Sequence, residues 1–364
     1  MAFSDTAQQK TVLLALSGGV DSAVAALLLQ KQGFRVVGAF MKMWSDTKDL
    51  QGHCIWKSER RDAYVVGAKL GIPVMTLDFE EAYRRDVLET FFTAYEAGET
   101  PNPDILCNSR IKFPLLRKAA TEQGIAWIAT GHYARIGERA DGTKELRCAV
   151  DEEKDQTYFL SGLAQADLAQ TLFPIGDFVK KDVRQMAQDA GLDVWDKRST
   201  RGICFVGKVD MPSFLAQRIP ERAGEIRHVD GRIVGEHHGL HQWTIGQRHG
   251  LAIGGGDPLF VVEKDLEKNI VFVSEQEKDL DVTEATIGDI HWIAGAPTSD
   301  VGVFARPRYR APLVSVRIVG DMVLFGEPQR AVTPGQQIVF YAEGKCLGGA
   351  TVVRVPSRIP VSVY

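Results

Sequence analysis

The chain has 364 residues, 45% hydrophobic and 25% charged, with a formal net charge of −4. Such a length and composition belong to a globular protein of about two or three domains with full-sized cores. No apolar run approaches the roughly twenty residues of a membrane span, the opening MAFSDTAQQK has neither a signal nor a transit pattern, and the charge speaks against a strongly basic nucleic-acid coat.

Taken from the N-terminus, residues 11–16 predict a buried strand that runs through Ser17-Gly18-Gly19-Val20-Asp21-Ser22 into a helix over 21–32. Further strands are predicted at 34–40, 73–77 and 125–130, with helices over 57–70, 80–96 and 111–123. Gly33, Gly71 and Gly124 close three of those helices, as glycine commonly does. Apolar strands alternating with amphipathic helices predict a parallel sheet covered on both faces. Ligands of such sheets sit at the carboxyl ends of the strands, where the 17–22 turn falls. Residues 165–172 and 181–190 continue the helical character. Past about residue 212 glycine-rich turns and short β-branched runs (259–263, 270–274, 313–318, 337–341, 351–355) predict one or two small antiparallel β domains.

The 17–22 turn has the form of a phosphate cradle. Two glycines let successive N–H groups face one concavity, and the helix that follows points its positive end there. Ser17 and Ser22 offer hydroxyls, and Asp21 is a carboxylate able to hold a magnesium ion bridging phosphates. The turn lacks both the GK[ST] ending of a Walker loop and the GxGxxG of a dinucleotide fold. It resembles the loop of ATP pyrophosphatases, which cleave ATP between the α and β phosphates; an ordinary tight strand-to-helix turn is the plain alternative.

Two further stretches carry cysteines. In Pro101-Asn102-Pro103-Asp104-Ile105-Leu106-Cys107-Asn108, Asn102 suits an N-cap and Pro103 the first helical position. Asp104 and Cys107 then share a face of the first turn, where the helix field favours a thiolate and the carboxylate can exchange protons. In Ser199-Thr200-Arg201-Gly202-Ile203-Cys204-Phe205-Val206-Gly207, glycines flank Cys204. A buried structural thiol is the alternative for each. The five cysteines are scattered, with no CxxC and no zinc spacing, so no disulfide framework or structural metal is expected.

Together these stretches closely resemble the tRNA-specific 2-thiouridylases, the MnmA/TrmU family, over nearly the whole chain. The shared motifs are ALSGGVDS (15–22), AFMKMW (39–44), PNPDILCN (101–108), ATGHYA (129–134), KDQTYFL (154–160), GICFVG (202–207), TIGQRHGL (244–251), RYR (308–310) and VTPGQ (332–336). The resemblance implies an α/β, Rossmann-like ATP pyrophosphatase (PP-loop) domain over 1–212, a central β-rich tRNA-binding domain over 213–282 and a C-terminal β-barrel over 283–364. It implies an ATP-dependent sulfurtransferase of the cytoplasm that uses magnesium, adenylates O2 of the wobble uridine of tRNA and replaces it with sulfur. ATP would be held by Ala15, Leu16, Ser17, Gly18, Gly19, Val20, Asp21 and Ser22, with Met41 near the adenine and Gly131 at a strand end. Cys204 would carry the sulfur as a persulfide. Cys107 would release that sulfur or resolve onto Cys204 as a transient disulfide, with Asp104 as general acid/base framed by Asn102 and Pro103. His132, Lys154, Asp155 and Gln156 would contact the tRNA. The chemistry is coherent: exchanging a carbonyl for a thiocarbonyl needs an activated oxygen and a strong sulfur nucleophile, and an unpaired RNA base flips cheaply into a pocket.

Arg306, Arg308, Tyr309 and Arg310 supply cations and an aromatic plane suited to RNA; a charged, guarded strand edge is the alternative. Gln336, in a Pro-Gly turn, is a weaker candidate for that surface. The partners implied are tRNA and a persulfide donor, a relay protein or a desulfurase, with neither DNA nor membrane. The chain departs from the family in Ser199-Thr200-Arg201, where an acidic residue is usual, and in Met43, where Asn is usual. His237, His238 and His241 have the look of a metal cluster, but a solvated turn is expected. Cys148 and Cys346 are expected to be packing residues, and Cys54 has no assigned role. Competing enzymes with this loop, such as tRNA lysidine synthetases, need an amine nucleophile and no cysteine pair. A silent RNA-binding protein would have no use for Asp21, Asp104, Cys107 and Cys204, and a thiol–disulfide oxidoreductase none for the nucleotide loop.

Overall fold

The computed structural model describes residues 10–45, 55–197, 211–251, 257–298 and 301–359. It divides into two compact units, one of residues 1–87, 104–208 and 344–346, the other of residues 88–103, 209–343 and 347–364.

The first unit opens with β1 (Thr11–Ala15), a run of β-branched and aliphatic residues whose Val12, Leu13 and Leu14 are fully buried. Each such side chain contributes about 1.5–3 kcal/mol by leaving water. α1 (Val20–Lys31) follows, then β2 (Arg35–Lys42), α2 (Ile55–Leu70), β3 (Val74–Asp78) and the short α3 (Glu80–Tyr83). After α4 (Glu89–Glu96), which lies in the second unit, come α5 (Pro103–Leu106), α6 (Phe113–Glu122) and β4 (Trp127–Ala129). β5 (Arg135–Glu138) and β6 (Lys144–Arg147) form a hairpin, and α7 (Gln165–Ala169), β7 (Thr171–Leu172) and α8 (Lys180–Asp189) complete the unit.

β3-β2-β1-β4-β7 is a five-stranded sheet whose pairs are all parallel. β2 and β3 extend it from β1 in one direction, β4 and β7 in the other. The loop after β1 therefore stands at the point where the strand order reverses, the usual ligand crevice of such sheets. α1 buries Ala23, Val24, Ala25, Ala26 and Leu29 in a core shared with Val36, Phe40, Ala63, Val66 and Ala129. Gly33, Gly71 and Gly124 end α1, α2 and α6 with φ of 85°, 65° and 67°, as glycines read as helix ends must.

Three expectations change. The predicted helix over 80–96 is one helical run interrupted by a π turn at Arg84–Leu88. The predicted helix over 165–172 stops at Ala169, because Thr171 and Leu172 pair with Ile128 and Ala129. The β5–β6 hairpin, not among the predicted elements, turns at Asp141-Gly142.

In the second unit, Phe91 and Phe92 of α4 pack with Phe214 of α9 (Met211–Ala216), the Phe92 and Phe214 rings stacking at 5.3 Å, and Tyr95 packs on Phe91. β8 (Gly224–His228), β9 (Ile233–His237), β10 (Phe260–Asp265) and β11 (Ile270–Ser274) form a sheet in the order β10-β11-β8-β9. It is mixed, not purely antiparallel as expected: β11 inserts beside β8 in the same direction. The other six strands are β12 (Asp281–Trp292), β13 (Phe304–Arg306), β14 (Val314–Val319), β15 (Met322–Arg330), β16 (Gln337–Ala342) and β17 (Lys345–Arg354). The order β12-β15-β14-β13-β16-β17 closes through a β12–β17 pairing, so the barrel has no free edge. Alternate residues such as Ile338 and Phe340, or Ala350 and Val352, fill its core.

Candidate active site

The chain leaves β1 through Leu16, whose N–H still bonds Ala39 O at 2.9 Å, and turns at Gly18, φ 72°. A Cβ on Gly18 would lie 2.7 Å from the Ala63 nitrogen and 2.8 Å from Asp62 Cβ, so this turn rests directly on α2. Ser22 organises the loop from inside: its hydroxyl donates to Gly19 O (3.1 Å), accepts from Ser17 N–H (3.2 Å) and meets Ser17 Oγ at 3.2 Å. Gly19 is the N-cap of α1 and no side chain caps that helix. Its first turn thus presents the partial positive charge that suits an anion.

The neighbouring strands flank the loop. Ala15 pairs with Ala39 and Leu14 with Ala129, so Met41 and Gly131 each lie two residues past a β1 partner, beside the turn. Gly131 must be glycine there, since a Cβ would sit 2.7 Å from Ser22 N and 2.8 Å from Asp21 C. Ala15 and Leu16 are buried in the sheet.

Asp21 is held by the protein itself. The Lys180 ammonium donates to both carboxylate oxygens at 2.5 and 2.7 Å, and the Tyr133 hydroxyl donates to Oδ1 at 2.9 Å. Burial, then Asp21, pushes the Tyr133 phenol far above its ordinary range and keeps it a donor. Lys197 spans Asp62 Oδ2 (2.7 Å) and Gly18 O (3.2 Å), tying α2 to the loop. No local pattern flags Lys180, Lys197 or Asp62, because each partner lies more than a hundred residues away. The Asp21 carboxylate and loop hydroxyls are oxygen donors of the kind magnesium takes; a magnesium ion at Asp21 would displace the Lys180 ammonium.

α5 begins at Pro103, the first helical position expected of it. Asp104 is half-buried, and Cys107, fully buried, opens a π turn (Cys107–Lys112) that leads into α6. π turns recur at functional sites. Asn108 donates to Phe159 O at 3.0 Å, while its buried Oδ1 has no partner among the described residues. His132, next to Gly131, stacks on Phe113 at 5.7 Å, meets Lys112 Nζ through Nε2 at 3.4 Å and Thr130 Oγ1 through Nδ1 at 2.7 Å. Lys112 has only protons to give, which places the His132 proton on Nδ1. Burial, then Lys112, holds this imidazole well below its ordinary value, so it is neutral at pH 7. A chain of contacts thus runs from the Ser17–Ser22 loop through Gly131, His132 and Lys112 to the turn that starts at Cys107.

The other candidate contacts divide. Lys154 is half-buried. The buried Asp155 spends its carboxylate on Ala149 N (2.7 Å) and on Thr157, and Gln156 Oε1 accepts from Tyr133 N at 2.9 Å, so both brace the strip that carries His132 and Tyr133. Within the second unit, the Gln336 amide donates to Thr100 O at 2.7 Å, two residues ahead of Asn102. Arg308 and Arg310 are exposed just past β13, and the Arg310 guanidinium lies 5.3 Å from the Tyr309 ring. Arg306 lies 5.4 Å from the Tyr341 ring.

His237 and His241 are buried, against the expectation of a solvated turn, whereas His238 is exposed. Both ring nitrogens of His237 are engaged, by Asn269 O (3.1 Å) and Gly239 N (3.1 Å), which leaves no lone pair for a metal. No group of three or more His, Cys, Asp or Glu suited to a metal occurs among the described residues. Cys346 is buried with its thiol toward Thr157 O, and Cys148 packs beside Thr157. Cys204, its flanking 199–207 segment and Cys54 lie outside the described residues. No described helix is long and apolar enough to cross a membrane.

Three family models match in succession. One described as a tRNA methyl transferase HUP domain covers residues 10–208, a tRNA methyl transferase PRC-barrel domain 212–275, and an aminomethyltransferase β-barrel domain 282–352. A curated relative, the tRNA-specific 2-thiouridylase MnmA of Alkaliphilus oremlandii, is 44% identical over 355 residues, spanning 94% of this chain and 97% of the relative. Among solved structures, an NMN synthetase from Francisella tularensis aligns at 19% identity and TM-score 0.35 over 57% of this chain and 72% of its own. A 4-thiouridine synthetase–RNA complex with bound ATP aligns at 17% identity and TM-score 0.34 over 57% and 50%. Scores at that level carry no conclusion. The identity and span of the curated relative do: the chain belongs to the family of tRNA-specific 2-thiouridylases.

Proposed function

We propose that this chain replaces O2 of the wobble uridine in tRNA with sulfur, at the expense of ATP cleaved to AMP and pyrophosphate. What supports this beyond family membership is one feature of the first unit: the contacts from the phosphate loop through Gly131, His132 and Lys112 to the Asp104–Cys107 turn. That arrangement sets a nucleotide cradle and a thiol-bearing helix start on one rigid framework. The 1–212, 213–282 and 283–364 division is part of the proposal, with the later segments gripping the tRNA.

The Ser17–Ser22 loop and the first turn of α1 would take the phosphates, with Met41 beside the adenine and Lys180 neutralising charge as the pyrophosphate departs. Magnesium, when held by Asp21, would offset the charge of the phosphates. Uracil O2 attacks the α-phosphorus and pyrophosphate leaves, which turns O2 into the leaving group AMP. Asp104 exchanges the proton at the base. The terminal sulfur of a Cys204 persulfide attacks C2 and AMP departs, leaving the sulfur bonded to both C2 and Cys204. Cys107 thiolate then attacks Cys204 Sγ. The bond between Cys204 and the transferred sulfur breaks, its electron pair completes the thiocarbonyl, and a Cys107–Cys204 disulfide remains. That bond requires the two Cα atoms within roughly 7 Å, and an external dithiol must reduce it in each cycle.

Nucleotide product analysis tests the activation step. Full-length protein with tRNA, ATP and magnesium is expected to release AMP and pyrophosphate in a tRNA-dependent manner, and Asp21→Asn to lose most of that turnover while remaining folded. ADP and phosphate as products would refute the assignment.

A further inference from the structure

The two sides of α2 differ in character. Inward, Ala63 and Val66 are buried, Asp62 supports Gly18, and Gly67 meets Val74 where a Cβ would lie only 2.2 Å from a methyl carbon. Outward, Trp56, Lys57, Arg60, Arg61 and Tyr64 recur at the spacing of one helical stripe and line an open recess of about 270 Å³. Lys57, Arg60 and Arg61 are exposed, the Arg61 side chain to 78%. Each ring has a cation beside it: Lys57 Nζ lies 5.9 Å and Lys42 Nζ 5.3 Å from the Trp56 ring, and Arg60 Cζ 5.4 Å from the Tyr64 ring. Tyr64 is fixed by its hydroxyl against Thr76 Oγ1 at 3.2 Å.

The acids nearby do not cancel this charge. Glu59 is half-buried, and Asp62 takes Lys197 at 2.7 Å with Arg61 Nε no nearer than 3.9 Å. Asp78 and Glu80 are committed to Lys42 at 3.0 and 2.8 Å. Three cations and two ring edges on a chain of net charge −4 make a local, oriented patch.

We propose that this outer face of α2 binds unpaired RNA, the nucleotides next to the target base, with a base stacked on Trp56 or Tyr64 and phosphates on Lys57, Arg60 and Arg61. The inference rests on the tRNA reading above and gives it a contact that none of the sequence motifs contains. Location favours it. α2 follows β2, so its first turn stands at the carboxyl edge of the sheet. Trp56 lies six residues, about 9 Å, along the helix from the Asp62 that supports the phosphate loop. Chemistry favours RNA over an acidic protein, because aromatic faces interleaved with cations match bases alternating with phosphates.

The test uses full-length protein, a tRNA transcript with a wobble uridine and titrations at several salt concentrations. The Arg60→Gln/Arg61→Gln pair is expected to weaken binding about tenfold and to lower the salt slope by about 1.4, two phosphates at roughly 0.7 each for a single strand. Trp56→Ala is expected to weaken binding about tenfold with the slope unchanged, and Trp56→Phe to retain wild-type affinity, since stacking needs a ring. Wild-type affinity and slope in both the arginine pair and Trp56→Ala overturn the proposal while leaving the proposed function standing. Intact tRNA binding with failed sulfur delivery from a persulfide donor also overturns it, and makes the face a protein-docking surface. Wild-type protein with no affinity for the transcript overturns the tRNA reading and this site together.

Discussion

At the scale of single residues, the Ser17–Ser22 loop depends on two positions where no side chain fits. Gly18 has φ 72° and Gly131 abuts the first turn of α1 at 2.7 Å. Gly131→Ala must push the Ser22 and Asp21 backbone outward, so we expect the KM for ATP to rise at least about tenfold, about 1.4 kcal/mol of lost binding, together with a lower melting temperature, since the atoms the new Cβ meets are main chain. Steady-state pyrophosphate release over a range of ATP concentrations checks this. The tight turn between β1 and α1 was legible in the sequence because its residues are contiguous. Lys180, Tyr133 and Lys197 were not assigned to it, because their roles exist only once distant segments fold together. The histidines show the reverse failure: three in five residues read as a surface turn, yet His237 and His241 are buried, His237 with both ring nitrogens satisfied by the backbone at Asn269 and Gly239.

At the scale of elements, the parallel sheet was predicted to within a residue or two at most strand starts, since buried strands and amphipathic helices announce themselves by period. What escaped has a physical reason. β7 is two residues long and has no period to detect, and the π turn at Cys107–Lys112 leaves no periodic signature in the sequence. The β10 strand carries a titration test of its own. Burial pushes the Lys264 ammonium down to about 8, while Glu99 opposes the shift, and the ammonium donates to Trp243 O at 3.0 Å. Between pH 8 and the ordinary lysine value of 10.5 the unfolded chain binds more protons here than the folded one, so this group's contribution to stability rises with pH through that window. Urea unfolding at pH 7.5 and at pH 9.5, comparing wild type with Lys264→Met, is expected to show that rise in wild type and its loss in the variant.

At the scale of the whole molecule, division of labour is the central expectation: chemistry on the α/β framework, RNA grip shared with the β-rich remainder. Exposed Arg308, in the segment between β13 and β14, is predicted to contact a phosphate. Arg308→Ala should weaken tRNA binding and reduce the salt slope by about one unit, with the KM for ATP unchanged; filter binding across salt concentrations reads both. Gln336, by contrast, already spends its amide on Thr100 O, so its loss should loosen the approach to Asn102 rather than remove an RNA contact. Cys204 is the residue on which the proposed reaction turns. Mass spectrometry of the nucleosides from tRNA treated with persulfide-loaded protein and ATP measures that reaction directly. Wild type is predicted to convert the wobble uridine to 2-thiouridine and Cys204→Ser to yield none while still binding ATP and tRNA. A Cys204→Ser protein that thiolates at a near-normal rate, or a wild-type product that gains a methyl group in place of sulfur, would contradict it.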